Sequence, residues 1–219
     1  MNAIVFDMDG VLFDTERIYY RAWHAEGNRQ GLTDEQVDRL FYRCAGHNLA
    51  AIGAMFREEL GDGFDFDAFW KDRTECSNRM IAEAEDIAKP GLRELLDDLR
   101  ARGWAIAVAT STGRMGTLFN LNRAGIADRF QILVTGDMFR RGKPDPEVYL
   151  RACELLGSDP AETYAVEDSY AGLESARRAG MRVVMISDMF PPTEESKKNT
   201  DILLPSLFAL REYLRAQHS

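Results

Sequence analysis

Histidine and cysteine are scarce in this chain, with three of each among 219 residues. Cys44, Cys76 and Cys153 are widely spaced, odd in number and outside any CxxC pattern, and His24, His47 and His218 are equally scattered. The spacing argues against a disulfide framework, structural zinc and a Cys-His nucleophile pair, so free, reduced thiols are expected. Basic charge is also in deficit. A net charge of -9 and a pI near 4.9 speak against nucleic acid or an anionic membrane as partner, while leaving room for a local basic pocket. No apolar run approaches the length of a membrane span, and the N-terminus lacks the basic start and small-residue cleavage site of a signal peptide. A cytoplasmic protein is the expectation.

What is present is an ordinary apolar fraction, 45%, enough for one good core or for a core domain with a smaller insertion. From Lys89 onward the pattern is regular. Pro90 can open a helix whose leucines Leu92, Leu95, Leu96 and Leu99 recur at helical spacing, and Gly103 ends it before a strand over 104–110. Helix then strand repeats. Helices are expected over 115–124, 146–156, 171–179 and from Ser206, and strands over 131–135, 163–166, 182–186 and 201–203. The Pro-Pro at Pro191 reads as a loop. Short strands that are apolar throughout, alternating with helices, predict an α/β fold: a doubly wound parallel sheet covered on both faces.

Residues from about 15 to 85 differ in character. They are rich in charge and aromatics, carry apolar side chains at helical spacing (Ile18, Ala22, Ala25; Ile52, Met55, Phe56; Phe66, Phe69, Trp70) and show no convincing strand. They read as a small helical domain, 15–85, inserted after strand one into a core formed by 1–14 and 86–219.

The first strand, in MNAIVFDMDGVL, ends in two aspartates one residue apart. Strand alternation would place Asp7 and Asp9 on one side and Phe6 and Met8 on the other. Like charges held so close repel unless a cation, a shared proton or a reacting group lies between them. In open α/β sheets ligands bind beyond the carboxyl ends of the strands. Those ends carry Asp7-Met8-Asp9-Gly10, Thr110-Ser111-Thr112-Gly113 and Glu167-Asp168-Ser169, with Lys143 in Gly142-Lys143-Pro144-Asp145-Pro146 at a helix entrance. Each has a plainer reading: a turn or calcium loop, a helix N-cap, a solvated lysine, or acids complementing a helix dipole. Together they fit phosphoryl transfer. One aspartate can carry the phosphoryl group, a second carboxyl can move the proton, a hard divalent cation takes carboxylate oxygens, and lysine and hydroxyl donors hold the phosphoryl oxygens.

These residues resemble the haloacid dehalogenase superfamily, in the subfamily with a helical cap after strand one, and within it the β-phosphoglucomutase-like phosphatases. FDMDGVLFDTE is similar to the first motif, VATST to the second, the lysine of GKPDPEVY to the third and VEDSYAGLESARRAG to the fourth. The resemblance implies Asp7 as nucleophile, Asp9 as general acid and base, Thr110 and Lys143 as phosphate binders, and Mg²⁺ held by Asp7, Asp168 and the backbone carbonyl of Asp9, with Glu167 beside it. Ser111 and Thr112 would add donors to the phosphate. An acid at position 9 implies a leaving oxygen to protonate, which disfavours dehalogenation.

In the cap the likeness to the mutase is partial. Tyr19 aligns with the mutase's histidine, and Ala45 and Leu49, on either side of Gly46, align with its lysine and arginine, so recognition of a second phosphate is weakened. Arg73 either keeps one positive charge in the cap or is a solvated helix residue. His47 and Asn48, beside Gly46, either touch a polar substrate or begin the next helix, and Arg114 is a candidate to face the pocket from the core. The leading expectation is a Mg²⁺-dependent phosphatase acting on a small phosphorylated metabolite, a sugar or polyol phosphate, as a monomer or weak dimer. The alternatives are a phosphosugar mutase that keeps the phosphoaspartate and a non-catalytic protein that binds phosphorylated metabolites.

Overall fold

The computed structural model describes residues 2–44, 47, 49–187, 189 and 191–217. Strand β1 (Ala3–Phe6) is followed by four helices, α1 (Thr15–Arg29), α2 (Asp34–Cys44), α3 (Leu49–Leu60) and α4 (Phe66–Glu83). Regular alternation then begins with α5 (Leu92–Ala101), β2 (Ala105–Ala109), α6 (Arg114–Arg123), β3 (Ile132–Val134), α7 (Glu147–Leu156) and β4 (Thr163–Glu167). It closes with α8 (Tyr170–Arg178), β5 (Arg182–Ile186), α9 (Glu194–Lys198), β6 (Ile202–Leu204) and α10 (Leu207–Gln217).

The six strands form one sheet in the order β3-β2-β1-β4-β5-β6, and every pairing is parallel. Alternate residues serve two cores. Ile4 and Phe6 of β1 join Ile106 and Val108 of β2 under the leucines of α5 and α10, while Val5 joins Ala107 and Ala109 under α7 and α8. Both faces are therefore covered, which is why these strands are apolar without alternation. The register sets Phe6 opposite Val108 on one side and Val166 on the other. The residues that follow, Asp7, Ala109-Thr110 and Glu167-Asp168, consequently leave the sheet side by side.

The inserted helices have a separate aromatic core of Trp23, Phe41, Phe56 and Phe69 with Val37, Leu40 and Ile52. Trp23 meets Phe41 and Phe69 edge-on, with centroids 5.5 Å apart in both pairs, the geometry that ring quadrupoles favour. The two chain crossings into this unit run beside each other: Asp14 N–H donates to Ile87 O at 2.8 Å and Lys89 N–H to Leu12 O at 2.9 Å.

Two local expectations need revision. β1 ends at Phe6, and residues 8–13 form a turn in which Leu12 and Phe13 N–H both donate to Met8 O. Asp7 and Asp9 are thus brought together by a turn, not by strand alternation. After Pro191-Pro192, Thr193 and Ser196 form a reciprocal capping box that starts the short helix α9 where only a loop was expected.

Candidate active site

The chain leaves β1 with Asp7 N–H donating to Val166 O at 2.9 Å, which anchors Asp7 between the ends of β2 and β4. Gly10 then takes φ +80°, and a Cβ there would stand 2.0 Å from Asp168 Oδ2. Glycine is required here for conformation and for space.

Lys143 arrives from the loop between β3 and α7. Glu147 in the first turn of α7 reaches back to accept from Arg140 N–H at 3.0 Å and Arg141 N–H at 3.1 Å, which pins the loop. The lysine points inward, 3% exposed. Its Nζ donates to Asp7 Oδ1 and to Glu167 Oε1, both at 2.5 Å. Burial opposes the ammonium charge, yet Asp7 and Glu167 hold its pKa above the ordinary lysine value.

Glu167 is a fully engaged acceptor. Oε1 also takes the Tyr149 hydroxyl at 2.6 Å, and Oε2 takes Asp168 N–H, Ser169 N–H and the Ser169 hydroxyl at 3.1, 3.3 and 3.1 Å. Asp168 is the opposite case. Its Oδ2 is buried with no hydrogen-bond partner.

Asp7, Glu167 and Asp168 each offer an oxygen within 4.8 Å of the others. Burial pushes the Asp7 carboxyl up to about 8, with Glu167 and Asp9 adding to the rise and Lys143 opposing it. Asp168 is likewise pushed well above the carboxylate range by burial, then by Glu16, Glu167 and Asp7. One lysine does not balance this much negative charge. A hard divalent cation fits the donor set on two counts, because it would take the orphaned Asp168 oxygen and relieve the repulsion that adds to burial in raising both pKa values.

Asp9 sits apart from this cluster. Its Oδ1 accepts from the hydroxyls of Thr15 at 2.7 Å and Tyr19 at 3.0 Å, and its Oδ2 accepts from Thr112 at 2.7 Å. Helix α1 and the loop after β2 thus hold one carboxylate between them. Thr110 Oγ1 accepts from Thr112 N–H at 3.0 Å, which shapes that loop.

A cleft of about 1080 Å³ opens above these groups, between the carboxyl edge of the sheet and the inserted helices. Asp7, Asp9, Thr110, Ser111, Thr112, Lys143 and Asp168 line its floor, with Arg114 at the N-terminus of α6. His47 and Arg73 line the opposite wall. Gly46 and Asn48 lie outside the described residues, as do Ala45 and His218. Glu167 supports the floor from beneath.

The chain matches the model of the haloacid dehalogenase-like hydrolase family over residues 1–180. It belongs to that family. Within it, this hydrolase falls in the β-phosphoglucomutase/CbbY-like subfamily with a helical cap. It is 36% identical over 195 residues to protein CbbY of Rhodobacter capsulatus, covering 84% of this chain and 85% of that one. It is 34% identical over 183 residues to the phosphorylated carbohydrates phosphatase of Thermotoga maritima, covering 83% and 82%. The crystal structure of a putative β-phosphoglucomutase from Thermotoga maritima superposes with a TM-score of 0.78 at 29% identity, covering 99% of each chain.

Several residues of the hydrolase that matter in the cleft carry no separate signal in the sequence. Glu16, the last residue of FDMDGVLFDTE, reads as an acid complementing the dipole of α1, yet it lines the cleft, and burial with Asp9 and Asp7 nearby pushes its carboxyl up to about 8. Thr15 begins α1, and its hydroxyl also holds Asp9. Tyr149 reads as an apolar residue of α7, but its hydroxyl secures Glu167. The three cysteines are free and buried. Among the described residues no helix is long and apolar enough to cross a membrane.

Proposed function

We propose that the protein is a Mg²⁺-dependent phosphatase that hydrolyses a small phosphorylated sugar or polyol through an aspartyl-phosphate on Asp7. The observation that carries this reading is the division of labour between two neighbouring acids: Asp7 is held by Lys143 Nζ at 2.5 Å, and Asp9 by hydroxyl donors alone.

Lys143 engages Oδ1 of Asp7 and orients the carboxylate so that its other oxygen can attack phosphorus. Asp9 protonates the departing alcohol oxygen as the P–O bond breaks. It then takes a proton from the water that attacks the acyl phosphate and regenerates Asp7. Lys143, Thr110, Ser111 and Thr112 stabilise the phosphoryl oxygens. Asp7 and Asp168 would hold Mg²⁺, with the backbone carbonyl of Asp9, and Glu167 would lie beside it. Bound there, the ion supplies the positive charge that keeps these carboxylates ionised and offsets the dianionic phosphate. Residues 15–85 serve as the cap that excludes water, with Gly46, His47, Asn48 and Arg73 on the cap side and Arg114 on the core side as substrate contacts.

Similarity to phosphatases acting on phosphorylated carbohydrates supports the sugar or polyol class. The test is phosphate release from p-nitrophenyl phosphate, which should require Mg²⁺ and vanish in Asp7→Asn; undiminished release in that variant overturns the mechanism. A second reading, a phosphosugar mutase, is favoured by the superposition on a putative β-phosphoglucomutase. It predicts glucose 6-phosphate from β-glucose 1-phosphate with a catalytic amount of the bisphosphate, and no such product removes it.

A further inference from the structure

The segment that brings Lys143 to the floor of the cleft also carries Tyr149, in the first turn of α7. The turn between them is fixed: Asp145 N–H donates to Gly142 O at 3.0 Å, and Asp145 O accepts the Ser175 hydroxyl from α8 at 2.6 Å. The Tyr149 ring is fully buried in the core that also holds Val5, Ala107 and Ala109. Lys143 Nζ lies 5.3 Å from its centroid, within the range over which a ring attracts an ammonium. Burial, then the charges of Glu167 and Asp7, hold the Tyr149 pKa well above the ordinary tyrosine value, so the hydroxyl stays a donor. Among the described residues its acceptor is Glu167 Oε1, at 2.6 Å.

Glu167 Oε1 is thus shared by Tyr149 and Lys143, while Lys143 is shared by Glu167 and Asp7. An ammonium has three N–H donors. Two are placed on these carboxylates at 2.5 Å, and Ala109 O stands at 3.4 Å as a looser third acceptor. A phosphoryl oxygen can displace that last contact. The two carboxylates compete for the lysine on unequal terms. Asp7 faces the cleft, where water or substrate can replace a lost donor, whereas Glu167 is fully buried and depends on the chain's own donors. A charged oxygen that loses a donor in the interior costs more than one that water can reach. Without the Tyr149 hydroxyl, Lys143 would be the one donor left to Oε1 among the described residues, and it would be drawn there and away from Asp7.

We infer that Tyr149 is a positioning residue for phosphoryl transfer: its hydroxyl satisfies part of Glu167 and so leaves Lys143 free to orient Asp7 and to meet the phosphoryl group. This rests on reading the cleft as a phosphatase site. A tyrosine on a buried helix face also has a plainer role, filling the core, and phenylalanine would serve that role equally. Tyr149→Phe separates the two. It keeps the ring, its packing and its attraction for the ammonium, and it removes the hydroxyl alone.

Donors to the phosphoryl oxygens count most in the transition state. In Tyr149→Phe, kcat for p-nitrophenyl phosphate should therefore fall by about tenfold or more, the size of one hydrogen bond to a charged group, with KM changed by less than about twofold. The calorimetric Kd of orthovanadate, a mimic of the five-coordinate phosphoryl group, should rise by about the same tenfold in the presence of Mg²⁺. The Kd of Mg²⁺ itself should stay equal or fall, because Asp7 loses the lysine that competes with the ion. In the Glu167→Gln background, which removes the competing charge, Tyr149→Phe should change the vanadate Kd by less than about twofold. Unchanged kcat and vanadate Kd in Tyr149→Phe overturn the inference, whatever happens to the melting temperature. So does a Mg²⁺ affinity that weakens in step with kcat, the sign of a floor loosened as a whole, and so does a full effect in the Glu167→Gln background. If Glu167→Gln does not fold, the opposed responses of vanadate and Mg²⁺ in Tyr149→Phe decide. Neither binding measurement needs turnover, so absence of phosphate release from every substrate would count against the phosphatase reading alone.

Discussion

Lys143 Nζ lies 2.5 Å from Asp7 Oδ1, joining residues 136 positions apart in the chain. The same ammonium reaches Glu167 at 2.5 Å, so it ties the end of β1 to the end of β4 in the floor of the cleft. Orientation of Asp7 and stability of the floor therefore depend on one buried group.

Asp7→Asn keeps the shape of the side chain and removes the proposed nucleophile. Turnover of p-nitrophenyl phosphate should fall by about a thousandfold or more, the scale seen when a residue central to covalent catalysis is lost. Circular dichroism should be unchanged, and the activity assay checks the loss.

Lys143→Met leaves Glu167 buried with its Tyr149 and backbone donors but without the cation. Breaking one side of a buried pair costs about 3–5 kcal/mol. A lower urea midpoint with an unchanged slope is the expected result, and the partial rescue by Lys143→Met/Glu167→Gln in the same titration checks that an uncompensated charge is the cause.

Metal binding should be linked to protons. The Asp7 carboxyl is raised to about 8 and Asp168 is raised as well, so at pH 7 a cation displaces protons from this site. Mg²⁺ affinity should rise as pH increases toward about 8, and calorimetry at pH 7 in buffers of different ionisation enthalpy should report proton release.

The same shifts give the metal-free protein a pH-dependent stability. A folded carboxyl at about 8 holds its proton where the unfolded one, near 3.8, has lost it. The contribution of Asp7 is fully present below about pH 4 and is lost as pH rises through about 8. Urea midpoints measured with a chelator should fall over that interval on this account, and saturating Mg²⁺ should flatten the decline.

Gly172→Ala tests the support beneath the floor. A Cβ at this position of α8 would stand 1.9 Å from Glu167 Oε1. Although alanine is the better helix former by about 1 kcal/mol, the substitution should destabilise the protein and lower turnover together, as thermal melting and the phosphatase assay would show.

The α/β core was legible because its signals are local. Leu92, Leu95, Leu96 and Leu99 mark one helix face by spacing alone, and all are fully buried. The strand 182–186 was readable to the residue from the apolar run 183–186 that follows Arg182. The inserted helices were legible as a helical segment only, since their aromatics satisfy helical spacing without saying which face meets which. Helix α9 escaped because its stop and start signals, Pro-Pro and a capping box, come without an apolar stripe.

In the cleft, Asp7 and Asp168 were legible because unusual acids sit at strand ends, where parallel sheets bind ligands, and Lys143 because it stands at a helix entrance between two such ends. Glu16, Thr15 and Tyr149 were not. An acid or hydroxyl in the first turn of a helix and a tyrosine on an apolar face have ordinary local explanations, and their partners Asp9 and Glu167 are brought to them only by folding.

The sequence by itself determined the sheet, its coverage by helices and the chemical types gathered at its edge, because periodicity and strand-end position are properties of short segments. Tertiary structure alone decided how those groups are paired. It left Asp168 Oδ2 without a donor, secured Asp9 with three hydroxyls and caged Arg73 among three rings. Each of these depends on contacts between segments far apart in the chain, and the cost of burying a polar group is fixed by the partners that folding brings to it.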